Sequence, residues 1–234
     1  MQTPHGRIYN IFEDMTKQPH LMIAGATGSG KSVVVNGIIT TLLYRFPTDA
    51  QLILIDPKRV ELSPYKYLPH TLRYASEPRD MINALEYAME IVESRYRVME
   101  QMRVRKYPLG DVYVIIDEFA DLMNTNRTEV APLVQRLAQI GRASKVHIIL
   151  CTQSPISKIL CTEIKCCIDS RVGLHTRSAQ DSRNILDHKG LEKLPMFGEA
   201  IYMTPKGEGQ YKIPYVDEAE QNRLINWWYG QIRR

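Results

Sequence analysis

Apolar residues in this chain gather in short unbroken runs rather than in alternation. Residues 20–24 (HLMIA), 51–55 (QLILI), 112–116 (VYVII) and 146–151 (VHIILC) are four such runs, and 171–174 (RVGL) is a weaker fifth. A strand that is apolar at nearly every position is buried on both faces, the condition of strands inside a parallel sheet. Between the runs the period changes to three and four. Residues 32–44 carry Val, Ile and Leu at helical spacing, and Met81, Leu85, Ala88, Val92, Tyr96 and Met99 mark one face of a long helix from about 78 to 105. Further helices are predicted from about 129 to 143 and from 218 to about 229. Pro57 removes a ladder donor and stops the second strand, and Ser76 is placed to cap the long helix. Residues 200–203 and 211–214 read as a hairpin with its turn on Lys206-Gly207-Glu208-Gly209. Strands alternating with helices predict an α/β fold of three layers, a mostly parallel central sheet flanked by helices on both faces. Residues 1–18 are expected to be an entry segment, 19–216 one domain, and 217–234 a C-terminal helix.

Composition narrows the class without choosing a function. The 234 residues are 44% hydrophobic and 24% charged, ordinary values for a globular chain with a sizeable core. No run approaches the ~18–20 apolar residues of a membrane span, and the first ten residues lack the apolar centre of a secretory signal. The expectation is a cytoplasmic protein with no direct membrane insertion. The four cysteines, Cys151, Cys161, Cys166 and Cys167, match neither a zinc-knuckle spacing nor a small disulfide framework, and are expected to be buried, reduced thiols. A formal net charge of +4 is compatible with a polyanionic partner but does not select one. The basic residues Arg95, Arg97, Arg103, Arg105 and Lys106 are expected to form a solvated face near the long helix's negative end.

The chemistry lies at the ends of the apolar runs. Gly25-Ala26-Thr27-Gly28-Ser29-Gly30-Lys31-Ser32, continuing into Val33, satisfies G-x-x-x-x-G-K-[ST] with a strand before it and a helix after it. Glycines let consecutive N–H groups turn inward on phosphate oxygens, and the positive end of the helix adds to the field. Lys31 is then expected to reach the β- and γ-phosphates of ATP, and Ser32 to ligate Mg²⁺. Asp117 ends the VYVII run at the edge where doubly wound sheets bind ligands, and is the second candidate for Mg²⁺. Glu118 follows, placed to orient or deprotonate an attacking water. Gln153 ends the fourth run, where its amide either contacts the γ-phosphate or caps the next turn.

These segments together resemble the FtsK/SpoIIIE family of DNA-translocating ATPases, within the broader FtsK and HerA group of ring motors. The resemblance rests on GATGSGKSV at 25–33, Asp56-Pro57-Lys58 with Glu61-Leu62-Ser63, and Asp117-Glu118-Phe119-Ala120-Asp121-Leu122. It continues through Arg136-Leu137-Ala138-Gln139, Gly141-Arg142-Ala143, Thr152-Gln153 and the segment 181–187, in order over residues 19–203. It implies a RecA-like P-loop fold and a hexameric ring of identical subunits that threads double-stranded DNA, with ATP held between subunits. It also implies an arginine finger supplied by the neighbouring subunit. Arg142 is the first candidate, against a salt bridge on the sheet's rim; Arg171 and Arg183 are alternates. Pore loops map to residues 124–128 and 154–165, placing Arg127, Lys158 and Lys165 on DNA phosphates. The family's Thr-Gln-Arg-Pro is here Thr152-Gln153-Ser154-Pro155, and the first pore loop is sparse in basic residues.

The family's motors usually carry another domain ahead of the motor core, many a membrane region, and some a C-terminal winged helix. None fits here, so the chain is expected to be an excised motor whose parent could be membrane-anchored. The leading expectation is an ATPase that moves double-stranded DNA in chromosome segregation or mobile-element transfer. The alternatives are a type VII-like protein secretion ATPase and an ATP-dependent adaptor without processive transport. Trp227-Trp228-Tyr229 is read as core packing, or else as a partner surface.

Overall fold

The computed structural model describes residues 14–15, 17–153 and 162–232. In chain order its elements are β1 (Leu21–Ala24), α1 (Lys31–Arg45), β2 (Ala50–Ile55), β3 (Thr71–Ala75), α2 (Pro78–Met102), β4 (Asp111–Ile116), α3 (Phe119–Thr125), α4 (Arg127–Ser144) and β5 (Val146–Thr152). They are followed by α5 (Thr162–Cys167), β6 (Ser170–Gly173), α6 (Ala179–Leu186), β7 (Glu199–Thr204), β8 (Gly207–Lys212) and α7 (Glu218–Ile232). Strand order across the sheet is β3-β2-β4-β5-β1-β6-β7-β8. The first six strands run parallel, and β7 and β8 close the sheet as an antiparallel hairpin.

Side-chain alternation along the central strands explains the three layers. Met22, Ile53, Val114, Ile116, Ile148 and Leu150 face one core with α2, α3 and α4. Leu21, Ile23, Leu52, Leu54, Ile115 and Ile149 face the other with α1 and α7. Both faces are covered, which is why these strands read as continuous apolar runs. The mostly parallel α/β sandwich predicted from the sequence is the fold observed.

Register places the chemistry. Ile55 pairs with Ile116, so Asp56 and Asp117 leave adjacent strands at the same level, and the Asp117 N–H donates to the Ile55 carbonyl at 3.0 Å. Ala24 pairs with Thr152, so the loop after β1 starts beside Gln153.

Several expectations are corrected. Arg95 is buried, not solvated: its guanidinium donates to the carbonyls of Ser144 (2.7 Å) and Lys145 (3.0 Å) and lies over the Tyr107 ring. It satisfies carbonyls that the end of α4 leaves open, in favourable alignment with that helix's dipole. Ser76 does not cap α2; Glu77 holds the cap position without a side-chain bond, and Pro78 begins the helix. The helix stops at Met102 because Arg103 turns left-handed (φ 53°) and returns its N–H to the carbonyls of Glu100 and Met99. In the hairpin, Thr204 pairs with Gly207, so the turn is Pro205-Lys206, and Gly207 (φ 134°) supplies the backbone freedom just after it. The segment 124–128 is a junction between helices, with Asn126 alone between α3 and α4 and accepting the Glu129 N–H. The tryptophan pair divides: Trp228 meets His70 edge-on within the α7 packing, while Trp227 is exposed.

Candidate active site

The loop after β1 is shaped by two glycines and anchored by its neighbours. Gly28 (φ 79°) and Gly30 (φ 98°) take left-handed conformations that turn the chain into α1. The Ala26 N–H donates to the His175 carbonyl at 2.8 Å, and a Cβ on Gly25 would lie 2.6 Å from the Leu174 Cβ. The loop therefore sits flush on the connection after β6, with the N-terminus of α1 opening at the carboxyl edge of the sheet.

Lys31 is buried there. Its ammonium donates to the Asp117 carbonyl at 2.6 Å and lies 3.2 Å from the Asp117 Oδ1 and 3.9 Å from the Glu118 Oε2. Burial pushes the Asp117 carboxyl above its usual range; Lys31 pulls it back, while Asp56 and Glu61 add to the rise. The Ser32 hydroxyl donates to Glu61 Oε1 at 2.5 Å. A serine oxygen whose proton is committed keeps its lone pairs free, and with the Asp117 carboxylate it forms a hard oxygen set that fits a magnesium ion. No three His, Cys, Asp or Glu side chains among the described residues converge as a direct ligand set.

Glu118 is 2% exposed and held on both oxygens. Oε1 accepts the Thr152 hydroxyl at 2.8 Å, the Gln153 N–H reaches Oε1 and Oε2 at 3.2 and 3.3 Å, and Lys58 donates to Oε2 at 3.3 Å. The Gln153 side-chain oxygen in turn accepts the Thr27 hydroxyl at 2.8 Å. One residue at the end of β5 thus touches both the glycine-rich loop and the glutamate. The site residues expected from the sequence, 25–33, Asp117, Glu118 and Gln153, are brought together at one edge.

Sequence reasoning gave Lys58, Glu61, Asp56 and Thr152 no role in this cluster. The available signal was that Asp56-Pro57-Lys58 follows a buried strand and so had to emerge beside Asp117.

Arg142 is not part of this cluster. It is exposed on the last turn of α4, at the amino edge of the sheet, in a shallow depression shared with Arg105 and Lys106. Arg171 is held inside the chain, donating to the Ile168 and Ile185 carbonyls and to the Asp187 carboxylate. Arg183 is exposed on α6. Lys165 pairs with Asp187 at 2.5 Å, and Arg127 begins α4. Lys158, with residues 154–161, lies outside the described residues. No disulfide joins Cys151, Cys166 and Cys167; of the expected burial only Cys151 shows it fully, Cys167 being half-buried and Cys166 exposed, and burial pushes the Cys151 thiol far up, leaving it inert.

The model of the FtsK/SpoIIIE family matches residues 5–109 and 106–157. The chain belongs to that family. The DNA translocase FtsK of Treponema pallidum (strain Nichols) is 40% identical over 231 residues, covering 91% of the chain and 29% of the relative. That of Clostridium acetobutylicum is 38% identical over 236 residues, covering 93% and 31%. The chain therefore spans about a third of the length of the curated FtsK relatives it matches. Among solved structures, the pCW3 conjugation coupling protein TcpA superposes with a TM-score of 0.83 at 23% identity, covering 97% of this chain and 68% of that one. EssC (ATPases 2 and 3) from Geobacillus thermodenitrificans also gives 0.83, at 14% identity, covering 99% and 48%. At these identities the neighbours establish the P-loop ATPase fold of this FtsK/SpoIIIE chain. No helix among the described residues is long and apolar enough to cross a membrane.

Proposed function

We propose that this chain is the motor core of an ATP-driven translocase that moves double-stranded DNA through a hexameric ring of identical subunits. The motor core is assigned to residues 19–216, with the closing helix packed on it. The observation that carries the reading is the double attachment of Gln153, whose side chain accepts from Thr27 and whose N–H donates to Glu118. The family resemblance assigns the residues immediately after it, 154–165, to the second pore loop. A change at the γ-phosphate is thereby felt by the peptide that leads into the DNA-facing segment.

Loop residues 25–33 cradle the phosphates of ATP, and Lys31 leaves Asp117 to bridge the β- and γ-oxygens. Ser32 and Asp117 hold Mg²⁺, which when bound neutralises charge on the phosphate oxygens. Glu118, held by Thr152, Gln153 and Lys58, orients the attacking water and takes its proton. Gln153 senses the γ-phosphate. Arg142 acts on the neighbouring subunit's nucleotide: a ring in which each amino edge faces the next subunit's carboxyl edge brings its exposed guanidinium to that site. Arg127, Lys158 and Lys165 contact DNA phosphates without reading sequence; Lys165 does so by giving up its exposed pair with Asp187.

The test is ATP turnover of the assembled chain at low salt with and without duplex DNA. The reading predicts stimulation that falls steeply as salt rises, because phosphate contacts release counterions. An assembled ring whose turnover ignores DNA and responds to a peptide would favour protein secretion.

A further inference from the structure

We infer that Glu61 and Asp56 form an outer acidic shell around the cation site, with Glu61 acting as the positioning residue for Ser32. The inference rests on the magnesium-nucleotide reading above and adds two residues to which that reading gives no part.

The first observation is where the Ser32 proton goes. Ser32 has one hydroxyl hydrogen, and it is donated to Glu61 on the β2–β3 connection, not to Asp117. Asp117 is engaged by Lys31 instead. Glu61 therefore sets the direction in which the Ser32 lone pairs face a cation.

The second, independent observation is Asp56. Its carboxylate is completely buried, and Oδ2 accepts the Leu62 N–H at 3.0 Å and the Tyr74 hydroxyl at 3.5 Å. Oδ1 has no hydrogen-bond partner among the described residues. A buried carboxylate oxygen without a donor is costly, and such groups are retained where a ligand or water completes them. Asp117 Oδ1 faces the Lys31 ammonium at 3.2 Å and takes no other donor among the described residues. The two oxygens belong to residues that leave neighbouring strands at one level.

The local turn ties the two acids together. The Asp56 carbonyl accepts the Arg59 N–H at 3.2 Å, Arg59 is left-handed (φ 59°), and Asp56 Oδ2 clamps Leu62, so the turn presents Glu61 to Ser32. Among the described residues, five carboxylates, Asp56, Glu61, Asp117, Glu118 and Asp121, share the edge with the ammonium groups of Lys31 and Lys58, leaving it short of positive charge. Asp56 and Glu61 act through the water shell of a hard divalent ion.

The test is Mn²⁺ binding to the chain in the presence of ADP, followed by the electron paramagnetic resonance signal of free Mn²⁺. Glu61→Ala, Glu61→Gln and Asp56→Asn are compared with the parent. Binding of a fluorescent ADP analogue in EDTA reports the loop without metal. Outer-shell roles predict Mn²⁺ affinity about 10–100-fold weaker in Glu61→Ala, with smaller losses in Glu61→Gln and Asp56→Asn, and metal-free ADP binding unchanged. Should Glu61→Ala not fold, Glu61→Gln, which keeps an acceptor and loses the charge, decides the matter. Mn²⁺ affinity equal to the parent's, or an equal loss of metal-free ADP binding, would overturn the inference. A parent chain that binds ADP but no Mn²⁺ would overturn the magnesium reading itself.

Discussion

Replacing Glu118 by Gln separates the chemical step from nucleotide binding. The carboxylate takes three kinds of donor: the Thr152 hydroxyl on Oε1, the Gln153 N–H across both oxygens, and Lys58 on Oε2. A glutamine can turn its carbonyl oxygen toward Thr152 and Gln153 and keep those bonds, so the β5 terminus stays in place. Its amide nitrogen then faces Lys58, donor against donor, and Lys58 moves toward Asp121, whose Oδ2 is already 3.9 Å away. The fold loses the Lys58 bond and the 3.9 Å ion pair of the buried Lys31 with Oε2, while Lys31 keeps its bond to the Asp117 carbonyl. On the proposed role of Glu118, chemistry loses its base. General-base removal costs a factor of about 10²–10⁴ in turnover, or about 3–5 kcal/mol of barrier. Single-turnover hydrolysis and ATP retention on the assembled chain would show ATP bound as tightly as in the parent but held unhydrolysed. Turnover within about threefold of the parent, with the variant folded, would refute the role given to Glu118.

Arg95→Ala should destabilise the fold by about 2–4 kcal/mol, because two charged bonds to buried carbonyls and the Tyr107 contact are lost together; a chemical-denaturation midpoint equal to the parent's would contradict this. His20 is buried, its Nδ1 accepts the Ile148 N–H at 3.1 Å, and burial with the nearby His147 pushes its pKa down to about 4 from 6.5. Its folded value is the lower one, so its contribution to stability is present above pH ~6.5 and fades as pH falls toward ~4, by roughly 2–3 kcal/mol. Urea unfolding at pH 7 and pH 4.5 should accordingly show a smaller acid loss in His20→Gln than in the parent, and equal losses would remove His20 as the cause.

How much of this was legible in the sequence depends on whether a residue's neighbours are close along the chain. The central strands were legible because burial on both faces leaves only apolar residues, as in VYVII and QLILI. β3 was not, because Thr71-Leu72-Arg73-Tyr74-Ala75 is an edge strand whose side chains are mostly half-buried or exposed. The phosphate loop was legible because its function is carried by contiguous backbone and needs no distant partner. Glu61 was quoted only as part of a motif, since the serine it accepts from is far along the chain and meets it only through the β2–β3 connection. Arg95 misled for the same reason. Its place among basic residues suggested solvent, and only the packing of α2 on α4 brings the Ser144 and Lys145 carbonyls within its reach.

The central claim is that this chain assembles around duplex DNA with the edge carrying Glu118 and Gln153 set between subunits. Electron microscopy of the chain with a slowly hydrolysed ATP analogue and duplex DNA tests it most directly. The account predicts six-subunit rings with DNA through the pore, nucleotide at each subunit junction, and Arg142 of one subunit beside the phosphates of the next. Rings with an empty pore beside free DNA, or nucleotide-bound chains that remain single, would contradict it.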